Sequence, residues 1–183
     1  LCPRPIVEPA ARHHTRMYIK YEKILKQIIL DLQKFTDKDI VVKLHPGDIS
    51  HNHMIKTTIN ELDSNIVIHH STSIDELIAN SELVLVISPD GYDPSTVILE
   101  SIIMEKPVIN LVLDGKFYDF SYEKNNAVIS ITENENFMET LTKIFTNSEF
   151  KNKIRSNGKK FLNDYLNNHG IASKSLAAKL VKL

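Results

Sequence analysis

Residues 83–113 read LVLVISPDGYDPSTVILESIIMEKPVINLVL, and the fold is decided here. Leu83 to Ile87 and Pro107 to Leu113 are short apolar runs rich in β-branched residues, the pattern of parallel strands covered on both faces. Between them, Asp93-Pro94 predicts a helix start: an N-cap acceptor, then proline at the first helical position, where a missing N–H costs nothing. Ser95 and Thr96 would then occupy the first turn, where free backbone N–H groups and the helix dipole favour an anion. Glu100 falls one turn beyond Thr96 on the same side. A strand whose carboxyl end feeds a polar loop and a helix N-terminus is where open α/β sheets bind nucleotides.

The flanking sequence extends the same alternation. Upstream, Met17, Ile24, Leu25, Ile28, Ile29, Leu32 and Phe35 recur at three- and four-residue spacing and predict a helix over 15–35. Ile40 to Leu44 reads as a strand closed by His45-Pro46-Gly47-Asp48. A helix over 52–62 and a short strand over 66–68 follow. Ser73-Ile74-Asp75-Glu76 is a capping box that opens a helix reaching Asn80. Downstream, Asp114 to Asn126 is a polar, tyrosine-bearing loop, and Ala127 to Ile131 the last strand. Thr132-Glu133-Asn134-Glu135 is a second capping box, for a helix ending near Phe145. More helix is expected over 148–165, broken or kinked near Gly158, then a stop at Asn167-Asn168-His169-Gly170 and a final helix. Residues 1–11, with Pro3, Pro5 and Pro9, predict a linker or an edge strand. Strands alternating with helices mean one α/β domain over 1–183: a doubly wound parallel sheet with a helical segment over 148–183.

Composition narrows the function. An apolar fraction of 42% and a charged fraction of 25% are those of a globular domain, and a net charge of −1 gives no bulk attraction to nucleic acid or membrane. Tryptophan is absent, which weakens any reading based on stacking platforms. A single cysteine, Cys2, excludes an internal disulfide and a cysteine metal cluster, and fits a reducing, cytoplasmic compartment. No apolar run approaches the ~20 residues of a spanning helix. Prolines and charges interrupt the first residues, which do not read as a signal peptide. A start without methionine, in a loop-like segment, suggests a piece of a longer protein.

No glycine-rich dinucleotide loop, Walker loop or nucleophile elbow occurs, so the chemistry rests on strand ends. His45-Pro46 follows the first long strand, where an imidazole can hydrogen-bond a phosphate or leaving group; the plainer alternative is a polar residue that ends a strand. Ser71-Thr72-Ser73 follows the next strand and could border a ligand, though Ser73 is expected to cap a helix. Ser88 to Thr96 offers hydroxyls and backbone N–H groups to a phosphate. Glu100 interrupts the apolar set Val97, Ile98, Leu99, Ile102 and Ile103, a costly place for a carboxylate that is neither paired nor solvated. Binding two ribose hydroxyls is one suitable role; a solvent stripe or a lysine partner is the alternative. Eight histidines invite a metal reading. But His51 and His53, two apart on a helix, project about 200° from one another, a poor arrangement for a shared ion.

Taken in order, Lys43-Leu44-His45-Pro46, the Ser-Thr-Ser loop, Ser95-Thr96-Val97-Ile98-Leu99-Glu100-Ser101 and Lys106-Pro107-Val108-Ile109 resemble the C-terminal half of a GT-B glycosyltransferase. The likeness is to His-Pro-motif transferases of capsule, sialic-acid, Kdo and glycerol-phosphate type, with the UDP-N-acetylglucosamine 2-epimerases as relatives. Phe161, Tyr165 and His169-Gly170-Ile171-Ala172-Ser173 resemble the family's closing segment. The epimerases carry Ser-Gly-Gly where this chain has Pro94-Ser95-Thr96, which favours the transferase.

The resemblance implies a Rossmann-like three-layer αβα fold, one half of a GT-B enzyme, that binds the donor of a transferase making surface polysaccharide or glycoconjugate. His45, with Pro46, would contact the donor phosphate or base region and act in catalysis. Ser95 and Thr96 would hold the phosphates and Glu100 the ribose, with Ser71 and Ser88 lining the site. No cofactor or metal is implied beyond a CMP-, CDP- or UDP-linked sugar. The acceptor and the catalytic base would sit in a separate N-terminal domain, through which any contact with a membrane surface would come; alone, this half would be inactive. An epimerase-like domain and a non-catalytic protein-interaction module are the competing readings. Asp90 and Asp93 sit oddly beside a phosphate and would have to point away or meet a cation.

Overall fold

The computed structural model describes residues 1–4, 11–47, 49–89, 95–113, 120–166, 171, 173–174 and 177–178. In chain order they form β1 (Cys2–Pro3), α1 (Ala11–Phe35), β2 (Val41–Lys43), α2 (Ile49–Leu62), β3 (Val67–His69), α3 (Ile74–Ala79), β4 (Val84–Ser88), α4 (Thr96–Ile103), β5 (Val108–Val112), α5 (Ser121–Lys124), β6 (Ile129–Thr132), α6 (Phe137–Thr146) and α7 (Ser148–Tyr165). Every strand pair is parallel. Four strands are ordered β1-β4-β5-β6, and β2 pairs with β3. Leu1 joins the two sets: its N donates to Val41 O at 2.8 Å, and Lys43 N donates to Leu1 O at 2.9 Å. The spatial order is therefore 3-2-1-4-5-6, the doubly wound order of a Rossmann-like fold.

Alternation along β4 builds the two faces. Leu85 and Ile87 enter one core with Tyr21, Leu25, Ile28 and Ile29 of α1, Ile55 and Ile59 of α2, and Leu141 and Ile144 of α6. Val84 and Val86 enter the other, with Ile78 of α3, Ile98 and Ile102 of α4, and Phe161 of α7. All five positions of β4 and of β5 are buried, as the unbroken apolar runs demanded. Each such Val, Leu or Ile contributes about 1.5–3 kcal/mol, so these two strands are the mechanical centre of the domain.

Several expectations change. The prolines of the first residues predicted a linker or an edge strand, yet β1 runs between β2 and β4. Its N–H groups alternate sides: Leu1 donates toward β2 and Arg4 toward β4, to Ile87 O at 3.0 Å. Pro3 would therefore donate toward β2 just where β2 ends, so its missing N–H removes only a last rung. Helix α7 runs unbroken through Gly158. A Cβ there would meet Ile102 Cγ2 at 3.0 Å, so glycine serves the close approach of α7 to α4 rather than a kink. Ser73 makes no side-chain cap bond. Glu135 closes the turn after β6 by accepting from Thr132 N at 2.7 Å, but Asn136 caps α6 by accepting from Glu139 N at 3.1 Å. The four-residue α5 lies inside what read as loop.

Candidate functional site

The strand order reverses between β1 and β4, and open α/β sheets bind ligands outside the carboxyl ends at that reversal. The carboxyl end of β1 carries Arg4. Its guanidinium lies near enough for its charge to bear on two buried phenols, Tyr21 of α1 and Tyr122 of α5. Burial pushes the Tyr21 hydroxyl well above its usual pKa; it donates to Ile87 O at 3.4 Å. The Tyr122 hydroxyl, pushed up to about 12 chiefly by burial, hydrogen-bonds the backbone of Ser95. Both stay protonated and neutral around the arginine. Arg4 was not singled out from the sequence, because the prolines beside it argued against a central strand.

Helix α4 begins at Thr96, with Ser95 as its extended N-cap and no side-chain cap bond. Ser95 thus stands at the cap rather than in the first turn, and it is buried, whereas Thr96 is exposed. Asp90, Asp93 and Pro94 lie outside the described residues.

His45 is exposed at the carboxyl end of β2. Gly47 N donates to its Nδ1 at 3.1 Å, and Asn52 Nδ2 donates to its carbonyl at 2.7 Å. An Nδ1 that accepts leaves the ring proton on Nε2, so the turn presents an N–H donor outward. Pro46 sits exposed in the same turn. The two loops on this side are strapped together by Lys43, whose ammonium donates to Leu44 O at 3.0 Å and His70 O at 2.8 Å. Ser71 is exposed next to that strap, and neighbouring Thr72 is tied to His69 Nδ1 at 2.8 Å. His45 and the α4 terminus are not on adjacent strand ends: β1 lies between them and interposes Arg4.

Glu100 is half-buried on α4, with Oε2 fully buried and without a hydrogen-bond partner. Burial raises its pKa, and Asp75 on α3 adds to the rise. Its charge bears in turn on the buried Cys2 thiol of β1. The carboxylate therefore lies among α3, α4 and β1, on the face opposite α1.

Ser88 is placed otherwise. It is buried, and its hydroxyl donates to Asn110 Oδ1 at 2.7 Å. Asn110 Nδ2 donates to Glu123 Oε1 at 3.4 Å, and Ser130 Oγ donates to the same oxygen at 2.7 Å. The Ser88 hydroxyl is thus committed to a network that crosses β4, β5 and β6 and docks α5. Phe161, read as part of a closing segment, is a core side chain stacked on Tyr165 at 4.9 Å.

What stands at the reversal is a set of donors (Arg4, the His45 ring, the α4 terminus) and a desolvated acceptor, Glu100. The fold is similar to that of a glycosyltransferase C-terminal domain. That neighbour is the C-terminal domain of the glycosyl transferase group 1 family protein LpcC from Francisella tularensis, with a TM-score of 0.58, 12% identity, and 90% of this chain and 83% of that one covered. The structure of the GtfA/B complex matches at a TM-score of 0.55 and 13% identity, over 98% of this chain and 36% of that chain. At such identities the likeness is one of fold. No family model and no curated protein matches the sequence. Among the described residues, no helix is long and apolar enough to cross a membrane.

Proposed function

We propose that the chain is the nucleotide-sugar-binding half of a GT-B glycosyltransferase that acts in the synthesis of a surface polysaccharide or glycoconjugate. The observation that carries this reading is the buried, partnerless Oε2 of Glu100 beside the strand-order reversal. A buried acceptor left unsatisfied costs about 1–3 kcal/mol, so it does not serve stability. A ribose offers two adjacent hydroxyls, both donors, and a carboxylate can accept from both. The donor phosphates then fall toward Arg4, the Nε2–H of His45 and the N–H groups that open α4, where anions are favoured. As the bond to the sugar breaks, negative charge grows on the departing nucleoside phosphate; fixed donors aimed there stabilise it without reorganising. The acceptor and the base that activates it belong to an N-terminal domain. In a non-catalytic module, Glu100 would be expected to pair with a lysine. Among the described residues it makes no salt bridge, while Lys143, Lys159, Lys38, Lys26 and Lys20 pair with other glutamates.

Titrating CMP, CDP and UDP into the isotopically labelled chain and following its NMR spectrum tests this. One of the three should shift the resonances of Arg4, His45, Thr96 and Glu100 together. A well-folded chain whose spectrum none of them changes contradicts the reading.

A further inference from the structure

The chain leaves β2 through Leu44-His45-Pro46-Gly47, and the backbone on both sides of His45 is held there. Leu44 N donates to His69 O at 2.9 Å, and Lys43 Nζ donates to Leu44 O at 3.0 Å. Asn52, in the first turn of α2, donates from Nδ2 to His45 O at 2.7 Å. The two carbonyls that bracket the His45 Cα are thus both pinned, which orients the peptide planes on either side of it. Pro46 already restricts His45 to extended backbone. Gly47 N then donates to the ring's Nδ1 at 3.1 Å, which fixes the imidazole itself. Yet His45 is exposed, and holding an exposed side chain in one rotamer costs conformational entropy without burying apolar surface.

Asn52 is the member of this set that stability does not explain. It is 5% exposed, and its Oδ1 is buried with no hydrogen-bond partner among the described residues. Positions 52, 55 and 59 form one stripe of α2, and Ile55 and Ile59 are wholly buried in the core. Asn52 therefore occupies a position that the stripe would give to an apolar residue. His45 O can only accept, so the amide cannot turn over to offer Oδ1 there. A buried acceptor left unsatisfied costs at least as much as one net hydrogen bond returns.

We infer that Asn52 is a positioning residue: it holds the backbone of His45 so that the imidazole points where the phosphate of the nucleotide lies. This rests on the nucleotide-binding reading above. Lys43 holds the turn from the β3 side, through Leu44 O and His70 O, and Asn52 holds it from α2. Without the Asn52 bond the His45 carbonyl can take water instead, and the turn is free to re-aim the ring.

Four variants test this: Asn52→Leu, Asn52→Ala, His45→Ala and the double variant Asn52→Leu/His45→Ala. Calorimetry reads affinity for whichever of CMP, CDP or UDP binds the parent. NMR reads the coupling across the hydrogen bond from Gly47 N to His45 Nδ1. Both Asn52 variants should lose that coupling and bind the nucleotide about 3- to 10-fold more weakly. They should do so alike although leucine fills the site and alanine leaves a void, and alanine carries the test if leucine does not fit. The double variant should bind no more weakly than His45→Ala. Retained coupling, an affinity like the parent's, or losses that add in the double variant would overturn the inference. The coupling needs no nucleotide. A parent that binds none contradicts the nucleotide reading, and the coupling in the Asn52 variants still decides whether Asn52 positions the ring.

Discussion

The two wings of the sheet's carboxyl edge make the instructive comparison. Over β4, β5 and β6, Ser88, Asn110, Ser130 and Glu123 bond one another in a layer roofed by α5, with Glu123 engaged through Oε1 while its Oε2 is buried without a partner. Over β2, β1 and β4, Lys43, Asn52 and Thr72 tie the loops together, while three groups stand apart from that bonding: the exposed ring of His45, Arg4 beside two neutral phenols, and Glu100 with an unpartnered oxygen. One wing uses polarity to hold a helix in place; in the function proposed above, the other would present it to the nucleotide. Residue type does not separate them; Glu123 keeps one oxygen in a bonded network, whereas Glu100, among the described residues, bonds through neither of its own.

The comparison breaks if the wings respond alike to mutation. The largest effect is expected in the engaged wing. Asn110→Ala should cost about 2–3 kcal/mol, because it strands the buried Ser88 hydroxyl, removes a donor from Glu123 and opens a small void. Urea unfolding reads this, and nucleotide affinity of the folded fraction should stay near that of the parent. In the other wing the pattern should invert. His45→Ala leaves an exposed position without its ring, so stability should hold within about 0.5 kcal/mol while nucleotide affinity falls about 3- to 10-fold.

The smallest effect, and the one that sharpens the comparison most, is in pH. Burial and Asp75 raise the Glu100 pKa above its unfolded value, so the folded chain holds this proton more tightly than the unfolded one. That contribution is complete below the ordinary carboxylate pKa and is lost as pH rises through the raised folded value. Glu100→Gln removes it. The variant's stability relative to the parent should therefore rise with pH above the ordinary glutamate range, by a modest amount at so partly exposed a group. A constant difference across that range would mean that Glu100 is not desolvated.

Much of this was legible in the sequence, for reasons that can be named. The runs around Leu83–Ile87 and Pro107–Leu113 are unbroken and β-branched, and they became the two fully buried strands. The spacing of Met17, Leu25, Ile28 and Ile29 with their neighbours gave α1, and Glu100 stood out as a carboxylate in an apolar helix. What stayed hidden depended on partners distant in the chain. Pro3 argued against an inner strand because sequence alone does not say that its N–H would face the end of β2, and Arg4 was lost with it. Ser88 looked like a ligand residue because the sequence does not show that Asn110, 22 residues on, takes its hydroxyl. One signal was available: a lone asparagine inside Val108–Val112 is a polar group in a strand covered on both faces, and such a group must find a partner. Helix α5 was missed because four residues are too few for a hydrophobic period.

The central claim is that Glu100 is kept unpaired for a ribose. Calorimetric titration of the parent and of Glu100→Gln with whichever of CMP, CDP or UDP binds tests it most directly. The account predicts that the variant is at least as stable as the parent at neutral pH yet binds the nucleotide about tenfold or more weakly, since a carboxylate accepting from hydroxyls is worth about 1.5–3 kcal/mol. Equal affinity in the two chains would contradict it.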